Sequence, residues 1–167
     1  MKVFNIFFIL VCIVLFAAKA WSLNTDAQQP IYIESDAATY DEKKGESVYT
    51  GRVQVKQGSM QMNADRLVIH MNEKTKKRVN KMIATGNPVR FKQKPSDDKE
   101  EIRGRSLRAE YYAGEGKLIL LEKAKIVQGK NTYTSEQIEY DTKNSIVKAG
   151  AKNSNKKRVH VTLHPKK

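Results

Sequence analysis

The chain has 167 residues, enough for one domain and hardly for two, and carries 31 Lys and Arg against 18 Asp and Glu, a net charge of +13. Its single cysteine, Cys12, excludes a thiolate metal cluster and an intrachain disulfide framework. The cationic surplus favours polyanions as partners: nucleic acid, acidic glycans or anionic headgroups.

The N-terminus reads as a targeting segment. Lys2 is a positive n-region, residues 3–18 are apolar but for Asn5, and small residues follow at cleavage spacing in Ala18-Lys19-Ala20 and Ala20-Trp21-Ser22. This is the pattern of a secretory signal peptide over residues 1–22, with cleavage expected after Ser22, or alternatively after Ala20. The apolar run of about 16 residues is shorter than the roughly 20 that span a bilayer, which weakens the alternative of an uncleaved anchor. Cys12 follows bulky Val11, so a lipoprotein is disfavoured. Cleavage would remove the only cysteine together with Lys2 and Lys19, leaving a basic domain held by its core and backbone pairing alone. Export also removes nucleic acid from the expected partners.

After a polar lead-in over residues 23–30, apolar residues alternate with polar ones at period 2, the signature of half-buried strands. The pairs Ile31/Ile33, Val53/Val55, Met60/Met62, Val89/Phe91, Leu118/Leu120 and Ile138/Tyr140 follow it, as do the triplets Leu67/Ile69/Met71 and Val159/Val161/Leu163. Turn signals separate the runs, among them Glu42-Lys43-Lys44-Gly45, Gln57-Gly58, Gly86-Asn87-Pro88, Gly114-Glu115-Gly116, Gln128-Gly129 and Asn153-Ser154-Asn155. No segment of the exported part shows a long helical period. The expectation is an all-β domain of many short antiparallel strands over residues 31–164, followed by a basic end at residues 165–167.

A loose repeat runs through the domain. A small residue followed by an acid recurs at Ser35-Asp36, Ala64-Asp65, Ala109-Glu110 and Ser135-Glu136, each followed by a second element such as Thr50-Gly51 or Thr85-Gly86. Acids at equivalent places in a repeat point to turn and backbone-bonding roles, not to catalysis. His160 and His164 stand four apart, but in or beside a strand, and no nucleophile elbow or phosphate-cradling loop is present. No catalytic residue, metal site or cofactor is therefore expected.

Several segments carry a resemblance: Gln29-Pro30-Ile31-Tyr32-Ile33-Glu34-Ser35-Asp36, Thr50-Gly51-x-Val53-x-Val55-x-Gln57-Gly58, Asn63-Ala64-Asp65, Gly86-Asn87-Pro88-Val89-Arg90-Phe91, residues 104–111 and Lys157-Arg158-Val159. In this order, across residues 28–164, they resemble the OstA-like family of periplasmic lipopolysaccharide-transport proteins. The resemblance implies an open, twisted β-jelly roll with a hydrophobic groove, stacked head to tail into a bridge between the membranes of a Gram-negative cell. It implies lipopolysaccharide as the ligand, with the lipid A acyl chains in the groove. It also implies the inner-membrane and outer-membrane components of the export system as partners. The chain departs from the family pattern in its strong basicity and in ending soon after its last strand.

Read onto these residues, the expected groove lining is Ile31, Ile33, Val53, Val55, Met60, Met62, Leu67, Ile69, Phe91, Leu107, Tyr111, Leu118, Leu120, Ile138 and Tyr140, incompletely covered by the chain itself. The expected partner edges are Ile31, Tyr32, Ile33, Glu34 and Ser35 at one end and Arg158, Val159, His160, Val161, Thr162 and Leu163 at the other. Two different edges make a heterologous contact that propagates into a homo-oligomer. Basic residues including Lys56, Arg66, Arg90, Lys92, Arg103, Arg105, Arg108, Lys125 and Arg158 either meet anionic groups of the ligand or form a solvated face. Three alternatives use the same features: the membrane-anchored inner component of the same system, a periplasmic scaffold that adds strands to partners without carrying lipid, and an electrostatic polyanion binder.

Overall fold

Alternating apolar and polar residues, punctuated by glycines able to turn the chain, produce an antiparallel sheet. The computed structural model describes residues 26–75, 78–95, 99–150 and 158–165. The expected signal peptide and the Asn153-Ser154-Asn155 turn lie outside the described residues. A 3-10 turn at Asp26–Gln28 precedes ten strands: β1 (Ile31–Glu34), β2 (Ala37–Asp41), β3 (Glu46–Gln57), β4 (Met60–Met71), β5 (Val79–Gln93), β6 (Ile102–Tyr112), β7 (Lys117–Gln128), β8 (Asn131–Asp141), β9 (Ile146–Ala149) and β10 (His160–Thr162). Among the described residues no helix is long and apolar enough to cross a membrane.

The strands pair in the order β1-β3-β4-β5-β6-β7-β8-β10; β2 shares the outer edge of β3 with β1, and β9 shares that of β8 with β10. The ends of this order do not pair with each other, so the jelly roll is open. Two-residue loops led by Gly58 and Gly129, at φ of 58° and 56°, close the β3–β4 and β7–β8 hairpins. Positive φ at the first loop position is what such tight turns require, and glycine adopts it without strain.

Strands β3 to β8 run 11 to 15 residues, longer than the sequence runs suggest. The reason is a line of bulges crossing the sheet: the register shifts between Thr50 and Val53, Asn63 and Arg66, Thr85 and Val89, Arg105 and Arg108, and Leu121 and Ala124. Bulges bend a strand without ending it. On β4, β5, β6 and β8 they also change the phase of the inward set: Ala64 is followed inward by Leu67, Ala84 by Val89, Ser106 by Ala109 and Ser135 by Ile138. A period-2 pattern breaks at each such step, so one bent strand looks like two short ones.

The bend divides the sheet into two limbs. The first holds β1, residues 53–57, 60–64, 89–93, 102–106, 124–128 and 131–135, and β10. The second holds β2, residues 46–50, 66–71, 79–85, 108–112, 117–121 and 137–141, and β9. Hydrogen bonds across the bend keep it in place. The Asp36 N–H donates to the Gly51 carbonyl at 3.0 Å, the Asp36 carboxylate takes the Arg52 guanidinium, and Asp65 Oδ2 accepts the Asn87 N–H at 3.0 Å. The Ser35 and Ser106 hydroxyls donate in the same way to carbonyls two residues on, those of Ala37 and Arg108.

That last pair corrects the sequence repeat. The third unit is Ser106-Leu107, with leucine at the acid position, and not Ala109-Glu110. Glu110 lies away from the bend, on the outer side of the second limb, where it meets Lys81 Nζ at 2.7 Å and Arg108 Nη2 at 2.5 Å.

Candidate functional site

The inner faces of the two limbs enclose one apolar cluster. In the first limb a single cross-strand row passes through Ile33, Val55, Met62, Phe91, Gly104, Ile126, Tyr133 and Val161. In the second limb two rows follow: Ile69, Met82, Tyr111, Leu118, Tyr140 and Val147, and Leu67, Ala84, Ala109, Leu120, Ile138 and Ala149. Strand pleat alone puts these residues on one side. Curling over the bend then brings distant strands together: the Phe91 and Tyr140 rings stack with centroids 6.0 Å apart.

Of the fifteen expected lining residues, eleven are buried in this cluster: Val53, Met60, Met62, Leu67, Ile69, Phe91, Tyr111, Leu118, Leu120, Ile138 and Tyr140. Ile33 and Val55 are half-buried and packed against it. Ile31 and Leu107 are half-buried and lie outside it. Leu107 follows from counting alternation straight through the bend, where the phase changes at Ser106. The sequence reading missed Ala64, Met82, Ala84, Val89, Ile102, Ala109, Ala124 and Ile126. The four alanines carry too weak a hydrophobic signal, but Val89 stood in a marked alternation.

The inner residues are covered more completely than expected, because the stacked limbs cover each other. A small cavity of about 10 Å³ remains beside Val55, Met60, Met62, Leu67, Met82 and Tyr111. Burial pushes the Tyr140 phenol up to about 12 and raises the Tyr111 phenol as well.

The lead-in residues close one end of this interior. Asp26 accepts hydrogen bonds from the Ser59 N–H and Ser59 hydroxyl at 2.7 Å each and from the Gln93 amide at 2.6 Å. The Gln57 amide donates to the Gln29 carbonyl at 3.1 Å. Gln57 and Gln93 are buried, so the end of the apolar interior is a polar stopper.

The expected edge residues occupy the two ends of the strand order. Ile31, Tyr32, Ile33 and Glu34 form β1, with Ser35 just beyond; His160, Val161 and Thr162 form β10, flanked by Arg158, Val159 and Leu163. Among the described residues, the large apolar ones left exposed are Tyr32, Tyr40, Ile146, Val159, Val161 and Leu163, all on or beside the four terminal strands. Among the described residues no group of His, Cys, Asp and Glu is arranged to hold a metal ion.

An antiparallel sheet bent along one line, open at both edges and packed over an apolar interior defines an open β-jelly roll. The chain belongs to the LptA/(LptD N-terminal domain) LPS transport protein family, whose model matches residues 32–146. It is 32% identical over 156 residues to the lipopolysaccharide export system protein LptH of Pseudomonas aeruginosa, covering 90% of this chain and 88% of that protein. It is 30% identical over 156 residues to the lipopolysaccharide export system protein LptA of Haemophilus influenzae, covering 93% of this chain and 89% of that one. The crystal structure of LptH, described as the LptA homologous periplasmic component of the lipopolysaccharide transport device of P. aeruginosa, matches with a TM-score of 0.77. That match spans 84% of this chain and 99% of the other at 32% identity. The family is one of transport proteins and not of enzymes.

Proposed function

We propose that this protein is exported to the periplasm and carries lipopolysaccharide as one unit of a bridge from the inner to the outer membrane. Lipid A acyl chains enter the interior between the limbs, and copies stack head to tail through the β1/β2 and β9/β10 edges. The observation that carries the reading is the cross-strand row from Ile33 to Val161, apolar or glycine at every strand from one edge of the sheet to the other. Eight strands at their usual spacing give this path a length of roughly 34 Å. Membership of the transport family and the periplasmic relative support the same assignment.

Entry requires the packed limbs to part. The methionines Met60, Met62 and Met82 beside the cavity suit this, since flexible thioethers repack around a guest at small cost. Each apolar Å² that an acyl chain removes from water contributes about 25 cal/mol, less the cost of ordering the chain.

The test is a photo-crosslinking amino acid placed at Tyr111 and at Met82, with exposed Lys148 as the outer control, in the exported protein in its own cells. Lipopolysaccharide adducts at the two inner positions and none at the control are expected. A folded, periplasmic protein giving no adduct at any position would sink lipid carriage. The well-filled interior and the exposed apolar residues at both edges would then favour a scaffold that adds strands to partners without holding lipid.

A further inference from the structure

The other face of the first limb carries cations in direct cross-strand opposition. Lys92 stands opposite Arg103; in the next row Arg90 stands opposite Arg105, and Arg105 opposite Lys125. Like charges directly opposite on one face of a sheet repel and destabilise it. Only Arg103 among these has an ion-pair partner, Glu101; Arg90, Lys92, Arg105 and Lys125 form no ion pair among the described residues. In the second limb Lys81, Arg108, Lys117 and Lys148 are paired with glutamates, and Arg66, which has no ion pair among the described residues, stands opposite Thr50 and Thr85 and not opposite another cation. The unpaired cations line a surface cleft of about 480 Å³ whose rim includes the amide side chains of Gln61 and Asn63. At its floor lie Gly104, which has no side chain, and Phe91, whose ring turns to the interior; both are buried, so the charged side chains and the amides form the accessible walls.

We propose that this cleft is a binding site for a phosphorylated saccharide. Phosphate oxygens accept charge-assisted hydrogen bonds from Arg90, Arg105, Lys92 and Lys125, and sugar hydroxyls pair with the Gln61 and Asn63 amides. The concavity is of sugar size, and a flat bilayer surface would not fill it. The site lies on the opposite face of the sheet from the interior and needs no acyl chain, so it stands or falls separately from lipid carriage.

The test is calorimetric titration of the exported protein with a deacylated, bisphosphorylated glucosamine disaccharide. The same disaccharide without phosphate, inorganic phosphate and phosphatidylglycerol vesicles are titrated in parallel. The expected result is binding of the phosphorylated disaccharide alone, weakened at least about tenfold in an Arg90→Gln/Arg105→Gln variant and unchanged in a Lys117→Gln/Lys148→Gln variant. Equal binding by wild type and the Arg90→Gln/Arg105→Gln variant would overturn the assignment. So would inorganic phosphate binding as tightly as the disaccharide, which marks an adventitious ion only, or binding to vesicles alone, which marks a membrane surface. The Arg90→Gln/Arg105→Gln variant should melt at or above the wild-type temperature, because it relieves repulsion. A lower midpoint would mean that the cations serve the fold and would equally overturn the proposal.

Discussion

The rings of Phe91 on β5 and Tyr140 on β8 stack at 30° between their planes, although β6 and β7 separate their strands in the sheet. The contact is possible because Gly104, opposite Phe91 on β6, has no side chain: a Cβ there would lie 2.0 Å from Phe91 Cε1. Replacing Phe91 by Ala is expected to lower stability by about 3–5 kcal/mol through the cavity it leaves. Gly104→Val is expected to lower it by about 1–3 kcal/mol by overpacking, and the pair Gly104→Ala/Phe91→Leu to recover part of that loss. Urea unfolding midpoints at constant slope measure all three; a Gly104→Val protein as stable as wild type would contradict the packing.

Asp26 holds the stopper through three hydrogen bonds that no other described carboxylate supplies. Asp26→Ala is expected to lower stability by about 2–3 kcal/mol, the range for hydrogen bonds to a charged group. Amide exchange at Ser59 should accelerate in the variant while that at Ile126, in the middle of β7, keeps its protection relative to global unfolding. Equal exchange at Ser59 in both proteins would show that the stopper does not depend on this carboxylate.

Glu110 sets a pH dependence. Burial opposes its ionisation, but hydrogen bonds from Lys81, Arg108 and Tyr112 outweigh burial and lower its pKa from 4.5 to about 2. A carboxylate depressed in the folded state contributes stability above its unfolded value, lost as pH falls through the folded one. The Glu110 contribution should therefore be complete above about pH 5 and fade between pH 4.5 and 2. Thermal midpoints of wild type and Glu110→Gln should differ most near neutrality and converge toward pH 2. A constant difference across that range would remove Glu110 as the titrating group.

Tyr32 and Val161 are 65% and 48% exposed on opposite edges of the sheet, so charging them removes little internal packing. Tyr32→Glu and Val161→Glu are each expected to change unfolding free energy by less than about 0.5 kcal/mol. If the edges pair head to tail, each substitution weakens concentration-dependent association seen by sedimentation velocity. Wild type and both variants associating alike would place the contact elsewhere.

Much of the sheet was legible because a strand with one buried face writes its orientation at period 2, as in Leu118/Leu120 and Ile138/Tyr140. The bend was only partly legible. Thr50-Gly51 and Ala64-Asp65 marked it on β3 and β4, but the phase change at Ser106 leaves no compositional trace, since a buried serine looks like an exposed one in sequence. Leu107 was therefore drawn into the lining and Glu110 into the repeat. Nor could composition separate the cations: Arg108 and Arg90 look alike until register sets one beside Glu110 and the other opposite Arg105.

The stopper and the first edge strand are the same piece of chain. Only Gln29 and Pro30 lie between the turn that carries Asp26 and the start of β1. Proline holds its own backbone torsion nearly fixed, so the short tether has little slack. If copies stack head to tail as proposed, a neighbour that draws β1 outward to extend its own sheet also pulls on the stopper at the end of the interior. Joining the next unit and unsealing this one would then be a single mechanical act.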